Sequence, residues 1–120
     1  MAAGDSKTWI RNQEVESTLL EDHHRLVSYT VNKKLTQQQT LSMLAIGLGG
    51  EVGEVLEPIK KHLYHEKELN KEALLDEVGD VLWYLHGICI EIDYSLVEAL
   101  QCNIKKLTAR YPEGFDASRK

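Results

Sequence analysis

Residues 41–56 read LSMLAIGLGGEVGEVL and place two carboxylates inside one of the most apolar stretches of the chain. Glu51 and Glu54 are three positions apart, so on a helix both side chains lie on one face, one turn apart. Like charges in an apolar surface are costly unless a positive charge neutralises them. The stretch therefore predicts a helix that carries ligands for a cation.

A second acidic pair has the same spacing. Residues 74–82 read LLDEVGDVL, with Glu77 and Asp80 three positions apart. Such a pair alone is more often a solvated helix face, but apolar neighbours surround both pairs, and consecutive helices joined by a short connection pack antiparallel. No histidine stands three residues after Glu51 or Glu77, which disfavours a di-iron site. We expect the four carboxylates to bind Mg²⁺, or Mn²⁺, whose usual partner is a substrate phosphate.

Helical periodicity recurs along the chain, and no strand pattern of useful length is present. Thr36-x-x-Gln39 and Ser95-x-x-Glu98 are typical of capping boxes at helix starts. Pro58 predicts a kink or short break within its helix. We expect an all-α fold with helices at about 9–31, 36–64, 71–92 and 95–110. The prediction is a single domain over residues 1–120, with flexible ends at 1–8 and 112–120.

Two of these helices are apolar on almost every side, at residues 41–56 and 81–92. Such helices must be buried on every side. A small chain with four helices has too few other helices to cover two of them completely. We therefore expect a four-helix bundle completed by oligomerisation, as a homodimer or homotetramer. Four glycines in one helix favour close helix packing, with room for a phosphate chain as the alternative: Gly47, Gly49, Gly50 and Gly53.

Composition excludes several other classes of protein. The 120 residues carry a formal charge of −5, which argues against a nucleic-acid binder. The longest apolar run, residues 81–92, is shorter than the roughly 20 residues that span a bilayer, so we expect no membrane partner. Cys89 and Cys102 form no metal-binding pair and indicate free, buried thiols. These features predict a cytoplasmic protein.

The paired acidic motifs resemble those of the MazG-like nucleoside triphosphate pyrophosphohydrolases, members of the all-α NTP pyrophosphatase superfamily. The likeness runs from about Leu41 to Phe115 and includes DEVGDVLWY at 76–84 and a tail that ends in RYPEGF at 110–115. The family pattern is often EExxE followed by ExxD. Gly50 stands here where the first Glu would be, which leaves the four expected ligands intact.

The resemblance implies Mg²⁺-dependent cleavage of a nucleoside triphosphate to a monophosphate and pyrophosphate, in the clean-up of nucleotide pools. Glu54 is our choice for the base that helps to deprotonate the attacking water. One alternative is a phosphoribosyl-ATP pyrophosphohydrolase. An alternative of another class is a non-catalytic helical oligomerisation module with a structural metal site.

The resemblance also suggests substrate contacts. Lys60 and Lys61 could contact phosphate oxygens, although surface lysines are usually only solvated. Trp83 could stack on a base, although aromatic residues in an apolar helix more often belong to the core. A polar face of the last helix could receive phosphate or base, within one chain or across a dimer interface, with an ordinary solvated face as the alternative: Asn103, Lys106 and Arg110.

The histidines suggest no further site. His23 and His24 are adjacent, so we expect them on different helix faces with nothing in common. His86 lies in an apolar helix and is expected to be a buried histidine with satisfied hydrogen bonds. His62 and His65 indicate a solvated helix end.

Overall fold

The computed structural model describes the backbone of residues 6–118 and the side chains from Thr18 onward. Within these residues the elements are helices, with no strand: α1 (Ser6–Thr30), α2 (Gln37–Tyr64), α3 (Lys71–Glu91) and α4 (Leu96–Arg110). The all-α prediction is confirmed, with helix bounds within a few residues of those expected. Part of the predicted flexible N-terminus lies outside the described residues, and α1 begins at Ser6.

The helix starts follow the predicted caps. The Thr36 hydroxyl accepts a hydrogen bond from the Gln39 backbone N–H at 3.2 Å, and the Gln39 side chain accepts one from the Thr36 N–H at 3.0 Å. Ser95 and Glu98 make the same reciprocal pair before α4. Asn70 caps α3 through its side-chain oxygen. These caps fix where α2, α3 and α4 begin because they satisfy backbone donors that lack helical partners.

Pro58 does not interrupt α2, which runs continuously from Gln37 to Tyr64. The short break that the sequence predicts is therefore absent. A proline removes only its own backbone donor, and α2 packs along α3 in the most extensive helix contact of the fold. That packing stabilises the helix on both sides of the proline.

The fully buried residues of the described chain lie on α1, α2 and α3, and α3 is the helix that contacts both of the others. They include Val27 of α1, Leu44 of α2, and His86 and Gly87 of α3. Leu44 packs so closely on Gly87 that a Cβ there would lie 2.9 Å from Leu44 Cδ2. Val27 and Leu44 are the only apolar side chains that are fully buried among the described residues.

Many large apolar side chains remain exposed in the single chain. Ile46 of α2 is 75% exposed and Leu75 of α3 is 70% exposed, although both belong to apolar stretches. Others lie on the same helices, on α4 and in the tail: Leu56, Leu63, Leu82, Leu85, Leu100, Ile104, Leu107 and Phe115. The apolar helices are thus not covered by their own chain, and oligomerisation stays a prediction.

Two smaller expectations have mixed outcomes. Cys89 and Cys102 are both free thiols, but Cys89 is only half-buried and Cys102 is exposed in the single chain, so the prediction that both are buried is wrong. Close helix packing explains Gly47, whereas Gly49 and Gly53 face open space within the described chain. None of the described helices has the length and apolarity needed to cross a membrane.

Candidate metal centre

Three carboxylates converge between α2 and α3. Glu51 comes from α2, and Glu77 and Asp80 come from successive turns of α3. One oxygen of each can be chosen so that all three atoms lie within 4.8 Å of one another. Glu51 and Glu77 are half-buried and Asp80 is exposed, so the cluster opens to solvent on one side. This is the juxtaposition that the paired motifs predict for antiparallel helices.

Glu54 lies outside this group of three, although its charge acts on it. Partial burial raises the pKa of Glu77, and the negative charges of Glu54, Asp80, Glu51 and Asp76 raise it further, in that order. In the described part of the chain, no ion pair joins Lys, Arg or His to any of these carboxylates. The cluster therefore holds several negative charges with no protein cation to balance them.

A cleft of about 300 Å³ opens beside the cluster. Its walls are Glu51, Asp80, Trp83 and Tyr84. The Trp83 indole N–H donates to Thr30 Oγ1 at 2.8 Å, so the end of α1 holds this wall in place. The Trp83 and Tyr84 rings meet edge to face, with centroids 4.9 Å apart and planes at 78°. Acidic and aromatic groups thus share one opening.

Gly47 creates the space that Tyr84 occupies. A Cβ at Gly47 would lie 2.1 Å from Tyr84 Cε1 and 2.8 Å from its hydroxyl oxygen. Real side chains do not approach so closely, so the tyrosine ring takes the position that any larger residue would fill. Gly47 therefore sets the orientation of one wall of the cleft.

The predicted substrate residues separate into two groups. Trp83 lies on the cleft, as a substrate contact would. Lys60 and Lys61 are exposed, and each approaches Glu57 at 3.8 Å. The three predicted residues of α4 are exposed and do not line the cleft within this chain: Asn103, Lys106 and Arg110.

The histidines contain a feature that sequence reasoning missed. His86 is fully buried, as expected, and both of its ring nitrogens have partners. Those partners are His23 and His24, so the expectation that the adjacent histidines have nothing in common is wrong. At the end of α2 the expectation holds, since His62 and His65 are both exposed.

Comparison with known proteins places this geometry in a family. The family model for the MazG nucleotide pyrophosphohydrolase domain matches residues 38–115, which include both acidic pairs. The chain belongs to the MazG nucleotide pyrophosphohydrolase family. This family is all-helical and typically metal-dependent, in agreement with the fold and the acidic cluster. The matched segment covers α2, α3 and α4 and leaves α1 outside.

The chain is also similar to a curated phage protein. Gene 37 protein of Mycobacterium phage L5 is 35% identical over 78 residues, which are 62% of this chain and 68% of the phage protein. No solved structure gives a significant match to this MazG-family chain.

Proposed function

We propose that this protein is a Mg²⁺-dependent nucleoside triphosphate pyrophosphohydrolase that converts a (d)NTP to a (d)NMP and pyrophosphate. The observation that carries the proposal is the carboxylate cluster of Glu51, Glu77 and Asp80, open to a cleft with an aromatic wall. Within the MazG family, that cleft has the features needed for a nucleotide: hard oxygen ligands for its phosphates and ring surface for its base.

The donor set fits a hard divalent cation. All the candidate ligands are carboxylate oxygens, without nitrogen or sulfur, and they lack balancing protein charge. Glu51, Glu77 and Asp80 would hold the ion, and Glu54 would lie outside this group of three. When bound, Mg²⁺ (or Mn²⁺) neutralises phosphate charge and makes water easier to deprotonate.

The chain's own groups would then have separate tasks. Glu54 is exposed and lies outside the group of three, which leaves its carboxylate available to accept the proton of the attacking water. Trp83 lines the cleft. Its indole N–H is already bonded to Thr30, so the ring surface is the part of the side chain that remains for a ligand. We therefore assign Trp83 to contact with the base by stacking.

We also propose that the protein forms a homo-oligomer. The accessible surface of 9898 Å² exceeds the roughly 6,600 Å² expected for a folded monomer of this mass, and much of the exposed surface is apolar. A homodimer or homotetramer would cover it and could bring a polar α4 face toward the cleft of its partner. The residues proposed for that contact are Asn103, Lys106 and Arg110, and Lys60 and Lys61 are the remaining phosphate candidates.

The test is pyrophosphate release with Mg²⁺ from a panel of ribo- and deoxyribonucleoside triphosphates, with the product nucleotide identified. Glu54→Gln and Asp80→Asn should each abolish release while the far-ultraviolet circular dichroism is unchanged. Glu68→Gln is the control, because Glu68 is an exposed carboxylate in the connection between α2 and α3 and lies outside the cluster. Near wild-type turnover in both cluster variants would refute the proposal.

The same assay with phosphoribosyl-ATP added to the panel separates the alternatives. Turnover of phosphoribosyl-ATP alone would identify the histidine-biosynthesis enzyme class instead. No release from any substrate would favour a non-catalytic oligomerisation module. With broad turnover of triphosphates, we propose a role in cytoplasmic nucleotide-pool clean-up.

A further inference from the structure

Three imidazole rings meet between α1 and α3. His23 Nδ1 lies 2.8 Å from His86 Nδ1, and His24 Nδ1 lies 3.1 Å from His86 Nε2. The His23 ring stacks on His86 with centroids 5.0 Å apart, and the His24 ring meets it edge-on at 5.1 Å. His86 therefore bridges two adjacent residues of α1, and its own side chain is fully buried.

Proton counting shows what this arrangement requires. Each of the two N···N contacts is a hydrogen bond only if one of its two nitrogens carries a proton and the other does not. A neutral His86 supplies one N–H and one bare nitrogen, so it donates to one neighbour and accepts from the other. When both outer rings are protonated, their Nδ1 atoms are both donors. His86 cannot then accept at both nitrogens, and one contact becomes N–H against N–H.

A proton on His86 would preserve both contacts only while the Nδ1 atoms of both outer rings are bare, because His86 would then donate to each of them. The surroundings of His86 oppose this charge. Burial first, and then the neighbouring His23 and His24, lower the pKa of His86 to about 4, and no described carboxylate contributes to this shift. α2 packs beside it with Leu44 against Gly87, and the described residues of α2 bring no charged group to it. On α4, Glu98 raises the pKa of Cys89 and does not contribute to that of His86.

Other charged groups of α1 lie around the outer ring of His24. Glu21 and Arg25 share a cleft of about 350 Å³ with it, and Arg25 pairs with Asp22. His24 lines this cleft, whereas His86 has no exposed surface. Protons on both outer rings, with none added to His86, would break one contact.

We propose that His23, His86 and His24 form a proton-sensitive lock that holds α1 against α3 near neutral pH and releases it in weak acid. The lock is linked to the cleft, because α1 also carries Thr30, which accepts the Trp83 indole hydrogen bond. Trp83 and His86 are three residues apart on α3 and hence on neighbouring turns of one face. Release of α1 would free this aromatic wall. The lock does not depend on the proposed enzymatic activity.

The sign of the pH effect follows from the lowered pKa. A histidine that is neutral in the folded chain but titrates near 6.5 when unfolded contributes stability above pH 6.5, and that stability is lost as the pH falls toward 4. Between pH 7.5 and 5.0 the unfolding equilibrium constant should rise about 30-fold from this group. Glu77 acts in the opposite direction, since its raised pKa means that acid relieves repulsion in the folded state.

The experiment is urea denaturation of metal-free protein at pH 7.5 and 5.0, with Trp83 fluorescence recorded in a Trp9→Phe background. We expect the wild type to lose stability in acid and Trp83 emission to move to longer wavelength. His86→Leu should remove the roughly 30-fold contribution of this histidine to the acid effect. His65→Gln, at the exposed end of α2, should keep the full effect.

If His86→Leu does not fold, His24→Gln provides the test, because an amide can donate or accept and satisfies its contact at either pH. Its acid effect should be smaller than that of the wild type. The proposal is overturned if the wild type shows no acid effect. It is also overturned if the effect persists unchanged in His86→Leu, or in His24→Gln where the leucine variant is unfolded.

Discussion

Alanine at Gly47 should have opposite effects on stability with and without the Tyr84 ring. The new methyl would lie 2.1 Å from Tyr84 Cε1 and 2.6 Å from Cζ, so the ring must move. Overpacking of this kind costs about 1–3 kcal/mol. Alanine in place of a helical glycine contributes about 1 kcal/mol in the other direction. The single variant should therefore lose between about 0 and 2 kcal/mol of unfolding free energy.

The Tyr84→Ala background removes the obstacle. There Gly47→Ala should gain about 1 kcal/mol, since only the helix preference remains. A double-mutant cycle from urea denaturation would then give a coupling of about 1–3 kcal/mol. Gly47→Ala is made in both backgrounds, so the effect of any contact between residue 47 and a second copy of the chain cancels in the coupling free energy. An equal gain in the two backgrounds would refute the close approach. In the active enzyme the displaced ring should also raise KM, because Tyr84 lines the cleft.

Three further outcomes follow from the structure. Leu44→Ala should cost about 2–5 kcal/mol, because Leu44 is fully buried, whereas Ser42→Ala on the exposed side of α2 should change unfolding free energy by about 0.5 kcal/mol or less. Trp83→Phe and Thr30→Val should each cost about 1 kcal/mol and be less than additive together, because they remove the same hydrogen bond; full additivity would show that the bond is absent. Mg²⁺ at 100 times its dissociation constant should stabilise the wild type by about 2.7 kcal/mol in thermal denaturation and leave Asp80→Asn unchanged; equal shifts would place the ion elsewhere.

Helix positions were predictable because local chemistry determines them. Thr36, Asn70 and Ser95 are caps whose side chains satisfy backbone donors within three residues, so the sequence alone indicates them. The short break predicted at Pro58 is absent because a proline removes only its own backbone donor, and α2 stays continuous through it. The carboxylate cluster was predictable for a related reason, since spacing and antiparallel packing together bring Glu51 opposite the second pair.

Contacts that depend on the register of α1 were not predictable. The His23, His24 and His86 contacts join residues more than 60 positions apart, and nothing in the local pattern says which α1 residues meet α3. The single buried histidine in an apolar helix was the available signal. It indicates that partners are needed without saying which they are. Thr30 was missed for the same reason, because its partner Trp83 is 53 residues away.

The proposed function requires the carboxylate cluster to bind the metal that serves the nucleotide. The most direct measurement is anomalous diffraction at the manganese edge from crystals grown with Mn²⁺ and an α,β-imido nucleoside triphosphate. We expect manganese density in contact with Glu51, Glu77 and Asp80, and phosphate oxygens on the same ions. Density for the nucleotide with manganese bound away from these carboxylates would contradict it.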